Sequence, residues 1–315
     1  MTTAETTPIQ SIELQIISRP PRSPLQDVIH SLFHNRSAIL GMTILGLLVL
    51  VAITAPILAP YEPNQVLIGV ENVTKRQAPC IHLLGCPADQ PQHIMGLDGN
   101  VRDQFSRIIY GSRVSLVIGF ATVGFAIILG SLLGSVAGYL GSWGDNVIMR
   151  FMDVLLAFPS LVLAIAIVTV LGPGLVNALL AIAIIEIPAF ARVARSSVLA
   201  TKEQDFVMAA RSVGSKGNRI LFKSILPLAL TPLIVQGTLG IATAILDAAA
   251  LSFLGLGAQP PQAEWGSMLG AERNQVFTAP HLVFYPGLAI MLTVLAFNLL
   301  GDGLRDALDP RTRKV

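Results

Sequence analysis

A hydrocarbon layer about 30 Å thick takes about 20 consecutive apolar residues to cross as a helix. This chain carries six stretches of that character, at 38–58, 114–140, 154–171, 175–193, 228–251 and 282–300. Soluble domains carry about a quarter of charged residues, whereas here only 13% are charged and 53% are apolar, so lipid is the natural solvent. Without water in the bilayer every backbone N–H and C=O must be satisfied internally, which six separate apolar stretches can do only as helices. The expectation is an all-α polytopic membrane protein with six transmembrane helices. Pro159, Pro188, Pro232 and Pro286 fall inside the stretches. In a bundle the carbonyls they free find partners on neighbouring helices, so they predict kinks rather than loops. No short apolar core with a small-residue cleavage site precedes the first stretch, so no cleaved signal peptide is expected.

Lys and Arg placement sets the direction of a multi-span chain. Fifteen of the 21 fall on one side: Arg19, Arg22 and Arg36, Arg150, the seven between Arg192 and Lys223, and Arg305, Arg311, Arg313 and Lys314. Both termini are therefore expected in the cytoplasm. The organisation is a cytoplasmic tail over 1–37, a first span over 38–60, an outer loop over 61–112, a five-helix core over 113–302 containing an inner loop over 194–227, and a cytoplasmic tail over 303–315. The net charge of +2 gives no reason to expect a nucleic-acid partner.

Each polar segment has its own chemistry. Cys80 and Cys86 lie in the outer loop, where an oxidising compartment permits a small disulfide-closed loop. With His82 and His93 they could also be read as metal ligands, but their spacing matches no structural zinc pattern, and no metal is expected. In the inner loop Phe206, Ala209, Ala210 and Val213 recur at helical spacing, and Gly214 supplies the left-handed turn that ends the helix. Ile220, Leu221, Ile225 and Leu226 then resume an apolar face. Such a hairpin either rests on lipid headgroups, helped by Lys216, Arg219 and Lys223, or docks on a cytosolic partner. Gly130, Gly134 and Gly138 lay a small-residue stripe along the second stretch, the pattern of a close helix contact. Glu186 and Asp247 are the two acidic residues within predicted spans, and such groups usually face a bundle interior or a wet cavity. They are candidates for lining a pathway; the other reading is two solvated groups near helix ends. Trp265 in the second outer loop reads as an interfacial anchor or an outer contact.

Several of these segments resemble one family. Met208, Ala209 and Ala210, Gly214 four residues on, and Ile225, Leu226 and Pro227 are similar to the Glu-Ala-Ala loop of binding-protein-dependent ABC importer permeases, with Met208 where that family usually has glutamate. The stretches 93–116 and 145–159, the run Leu251-Ser-Phe-Leu-Gly-Leu-Gly257 with Gln259, Pro260, Pro261, Glu264, Trp265 and Gly266, and the segment 298–310 resemble the dipeptide and oligopeptide permeases. The long loop after the first span is similar to their C-type subunit.

The resemblance implies a type I ABC importer permease fold and a peptide pathway shared with a homologous second permease in a heterodimer. It also implies one or two ATPase subunits holding ATP and magnesium, an extracytoplasmic solute-binding protein, and residence in the bacterial inner membrane. It assigns ATPase coupling to Phe206, Met208, Ala209, Ala210, Arg211, Gly214 and Lys216. In the family an acidic residue commonly falls one position after Asp247, where this chain has Ala248. The chain has no G-x-x-x-x-G-K-[ST] loop, so it is expected to bind no cofactor and to catalyse nothing itself. Nickel chelates or glutathione-like solutes are alternative cargoes. A secondary transporter is the reading from another class, but no internal repeat supports it. A membrane enzyme would need a nucleophile with its base or a metal cluster, and the spans contain neither His nor Cys.

Overall fold

The computed structural model describes residues 29–308; Arg19, Arg22, Arg311, Arg313 and Lys314 lie outside the described residues. Regular structure within them is helical, with three isolated β-bridges within residues 68–103. Helix α1 (Arg36–Leu58) starts at Asn35, whose Oδ1 accepts from the amides of Ser37 and Ala38 at 2.9 and 3.2 Å. This satisfies two of the four amides a helix start leaves orphaned. Helix α2 (Gln104–Leu140) is capped by Asp103. Then come α3 (Ser142–Leu156), α4 (Ser160–Leu171), α5 (Leu175–Thr201), α6 (Asp205–Ser212) and α7 (Gly217–Ile220). A five-residue π segment (Leu221–Ile225) joins α7 to α8 (Leu226–Phe253), and α9 (Trp265–Glu272) and α10 (His281–Leu308) follow.

Helices α1, α2, α5, the run Gly217–Phe253 and α10 are each long and apolar enough to cross a membrane, and α3 with α4, a pair bent by 92°, passes the same test when taken together, which gives up to six crossings. Here the expectation of one kinked helix over 154–171 is corrected: the helix stops at Leu156 and restarts at Ser160. Pro159 has no N–H to donate and its ring disfavours the helical region for Phe158. Pro188, Pro232 and Pro286 sit inside continuous helices. The structured helices also outrun the apolar stretches, α2 starting ten residues before 114 and α5 ending eight residues after 193.

The core is centred where α2 packs on α5. Gly130, Gly134 and Gly138 face α5: a Cβ on Gly130 would stand 2.8 Å from the Ile187 carbonyl oxygen and one on Gly138 3.0 Å from that of Arg195, while one on Gly134 would overlap the Ala191 carbonyl. The stripe therefore packs within this chain. Phe190, Ala191 and Ala194 of α5 fill the space beside it, and Ile241, Ala244 and Ile245 of α8 close the core.

Candidate functional site

The hairpin formed by α6, α7 and the turn between them is built from its turn outward. Gly214 has φ +77°, a conformation that costs glycine nothing and other residues strain. Its N–H donates to the Arg211 carbonyl at 2.9 Å, and the Ser215 N–H donates to the Ala210 carbonyl at 3.1 Å. These two bonds are the Schellman pattern, which satisfies the last carbonyls of α6 and reverses the chain. The hairpin is seated by Val207, which is fully buried against Val198 of α5 and Ile220, Leu221 and Ile225, with Tyr139 and Ala210 beside them. At the end of α2, Lys202 Nζ donates to the Gly138 carbonyl at 3.3 Å. Gly217 lies so close to the Tyr139 ring that a Cβ there would reach within 2.8 Å of its hydroxyl.

The face expected from helical spacing is thus not the seat. Phe206, Ala209 and Val213 are exposed, with Met208 beside them, and Ala210 is half-buried. Around this apolar knob Arg211, Lys216, Arg219 and Lys223 are exposed cations. Sequence reasoning missed Val207 and Tyr139. The available signal for Val207 was that it lies three residues before Ala210, on the side opposite Met208 and Val213. The arrangement holds no nucleophile with a base; what it offers is an apolar protrusion in a basic rim.

The membrane acids lie on the two packed helices α5 and α8. Thr243 Oγ1 donates to Glu186 Oε1 at 3.2 Å, and Asp247 is one turn beyond Thr243 on the same face of α8. Both acids are half-exposed. Arg192 is not a partner of Glu186; it pairs with Asp153 at 2.8 Å.

In the segment between α1 and α2, Cys80 and Cys86 are disulfide-bonded. His93 is fully buried, its Nδ1 3.0 Å from Asp103 Oδ1 and its Nε2 3.1 Å from Glu71 Oε2. A neutral imidazole can donate from one nitrogen only, so two carboxylate acceptors call for the imidazolium. Burial alone lowers the His93 pKa, but the hydrogen bonds and charges of Asp103 and Glu71 outweigh it and the net direction is upward. Tyr61 donates to Glu71 at 2.9 Å, and burial together with that carboxylate pushes its phenol up to about 12. His82 stands apart, with Nε2 2.8 Å from the Gln90 carbonyl oxygen. Trp265 is neither an interfacial anchor nor an outer contact: it is buried against Ala249, Met268 and Ile290, and its indole N–H donates to the Ile108 carbonyl at 3.0 Å. Glu264 before it caps α9 through the amides of Gly266 and Ser267, both at 2.8 Å.

Residues 130–314 match the family described as binding-protein-dependent transport system inner membrane component, and residues 23–79 match the N-terminal TM domain of oligopeptide transport permease C. The dipeptide transport system permease protein DppC of Alkalihalophilus pseudofirmus is 48% identical, with 92% of this chain and 91% of that protein aligned. The glutathione transport system permease protein GsiD of Pectobacterium atrosepticum is 50% identical over 70% of this chain and 73% of its own length. Among solved structures, the inward-facing MetNI methionine ABC transporter superposes with a TM-score of 0.50 at 20% identity, over 65% of this chain and 98% of the matched one; at that identity the likeness speaks for the fold. With matches that span most of its length, this chain belongs to the family of binding-protein-dependent transport system inner membrane components, as a C-type ABC importer permease.

Proposed function

We propose that this chain forms half of a peptide pathway through the bacterial inner membrane, and that ATP hydrolysed on separate subunits drives it through the α6 hairpin. The observation that carries the reading is the exposed knob of Phe206, Met208 and Val213 on a hairpin whose other side is locked to α2 and α5. An apolar protrusion ringed by cations has no reason to face water unless a partner covers it. The partner is an ATPase with a complementary cleft, which holds ATP and magnesium. Ala209, Ala210, Arg211 and Lys216 complete the contact, and Gly214 sets its angle. Dipeptides are the cargo favoured by the DppC relatives, and glutathione-like solutes are the second reading, carried by the GsiD relatives. Glu186 and Asp247 line the pathway, where their carboxylates meet the cargo's amino terminus. A second permease of the same fold supplies the other half, and a solute-binding protein docks outside. Both termini lie in the cytoplasm, a reading supported by the excess of Lys and Arg in the segments on that side.

The test is affinity capture of the tagged chain in mild detergent. Wild type is expected to retain a P-loop ATPase and a second permease, and Met208→Asp with Val213→Asp is expected to lose the ATPase while keeping the permease. Recovery of no ATPase with correctly inserted wild type would overturn the reading.

A further inference from the structure

Helix α3 does not continue the span that follows it. Its axis stands 92° from that of α4, so a helix that crosses the membrane in α4 leaves α3 running along the surface. Its ion pairs agree. Asp145 binds Arg195 at 2.5 and 2.6 Å and Asp153 binds Arg192 at 2.8 Å. From 145 to 153 the chain advances about 12 Å along α3, while from 192 to 195 it moves only about 4.5 Å along α5. A helix lying alongside α5 would match these advances; α3 crosses it.

The two faces of α3 differ in kind. The inner face holds the buried Met152 and the half-buried Met149 against the core, and both acids turn to the α5 arginines. The outer face presents Trp143, Val147, Phe151 and Val154, at 78%, 48%, 60% and 52% exposure. These positions recur at helical spacing. Arg150 is exposed among them and makes no hydrogen bond or ion pair within the described residues. An apolar stripe with an aromatic at one end, a free cation on its rim and its acids turned away is the charge arrangement that suits an anionic headgroup layer.

We propose that α3 is an interfacial helix, immersed to the depth of the headgroup boundary through Trp143, Val147, Phe151 and Val154, with Arg150 on the phosphates of anionic lipid. The third crossing then belongs to α4 alone. Its 12 residues cover about 18 Å as helix, flanked by the non-helical residues 157–159 and 172–174. The proposal rests on the permease reading only for the side on which α3 lies; its depth is measured without that knowledge.

The test places nitroxide labels one at a time on cysteines at 143, 147, 151 and 154. The native cysteines leave no free thiol. The full-length chain is assembled with cysteine-free partner subunits in nanodiscs of phosphatidylcholine and phosphatidylglycerol, and relative accessibility to oxygen and to a soluble nickel chelate reports depth. All four labels are expected within a few ångström of one shallow depth, with oxygen favoured. Arg150→Gln is expected to shift them outward in discs containing phosphatidylglycerol and not in pure phosphatidylcholine. A depth rising by about 16 Å from 143 to 154 would make α3 part of a straight span and overturn the proposal. So would exclusion of both reagents, which means a partner subunit covers the face, or access to the nickel chelate alone, which means the face is in water. An Arg150→Gln response that is the same in both lipids would remove the anionic headgroup from it.

Discussion

His93 shows how one buried side chain can make a segment's order depend on protons. Both ring nitrogens face carboxylates, and no Lys or Arg among the described residues pairs with Glu71 or Asp103. The folded pKa is raised, so the stabilisation is complete below the unfolded value near 6.5 and is lost as pH rises through the folded value. Protection of the amides across 77–97, taken relative to their intrinsic hydroxide-catalysed exchange rates, is therefore expected to fall between neutral and alkaline pH. Glu71→Gln should abolish that dependence, because the new amide can donate to a neutral Nε2 while its oxygen still accepts from Tyr61. An equal loss of protection in both proteins would show that another group controls the segment. At Gly134 the constraint is space rather than charge. A methyl there meets the Ala191 backbone, whereas one at Gly124 meets nothing within 4 Å. Gly134→Ala is expected to cost about 1–3 kcal/mol through forced separation of α2 and α5, and Gly124→Ala to be near neutral, as read from thermal aggregation in detergent.

At the level of elements, the hairpin separates seating from docking. Val207→Asp buries an unpaired carboxylate among Val198, Ile220 and Ile225 and should unseat the hairpin, exposing it to protease in the chain alone. Met208→Asp should leave protease resistance intact and weaken only ATPase capture. If both variants are digested alike, Met208 belongs to the seat. The hairpin itself was legible in the sequence because Gly214 and the apolar spacing report on local backbone geometry. The six crossings were legible because length and apolarity are properties of each segment alone. Which face of α6 is buried was not, since Phe206 and Val207 are equally apolar and only the position of Val198 and Tyr139, outside that segment, decides between them. The break at Pro159 was read as a kink because a proline is compatible with both a bent helix and a stopped one. Trp265 looked like a surface aromatic because its acceptor, the Ile108 carbonyl, lies 157 residues away.

Across the whole molecule α2 meets both ends of the proposed machine. Its 37 residues run about 55 Å, from Asp103, which caps it and binds His93, to Gly138 and Tyr139, on which the hairpin rests. Between these ends the glycine stripe holds α2 against α5, whose own extension enters the hairpin. A push on α6 can thus reach the outer segment through α2, or reach the spans through α7, the π segment and α8. The two routes make different predictions for Tyr139→Ala, which removes the ring beneath Gly217 but leaves the exposed knob untouched. With transmission through α2, ATPase capture is unchanged, while the stimulation of ATP hydrolysis by loaded binding protein falls several-fold in reconstituted complex. With transmission through α8 alone, both quantities stay at the wild-type level. We expect the first outcome, because the Tyr139 contact and the Lys202 bond to Gly138 are the hairpin's attachments to α2, whereas the π segment at the start of α8 has looser, longer-range backbone pairing and transmits displacement less faithfully than a continuous α-helix.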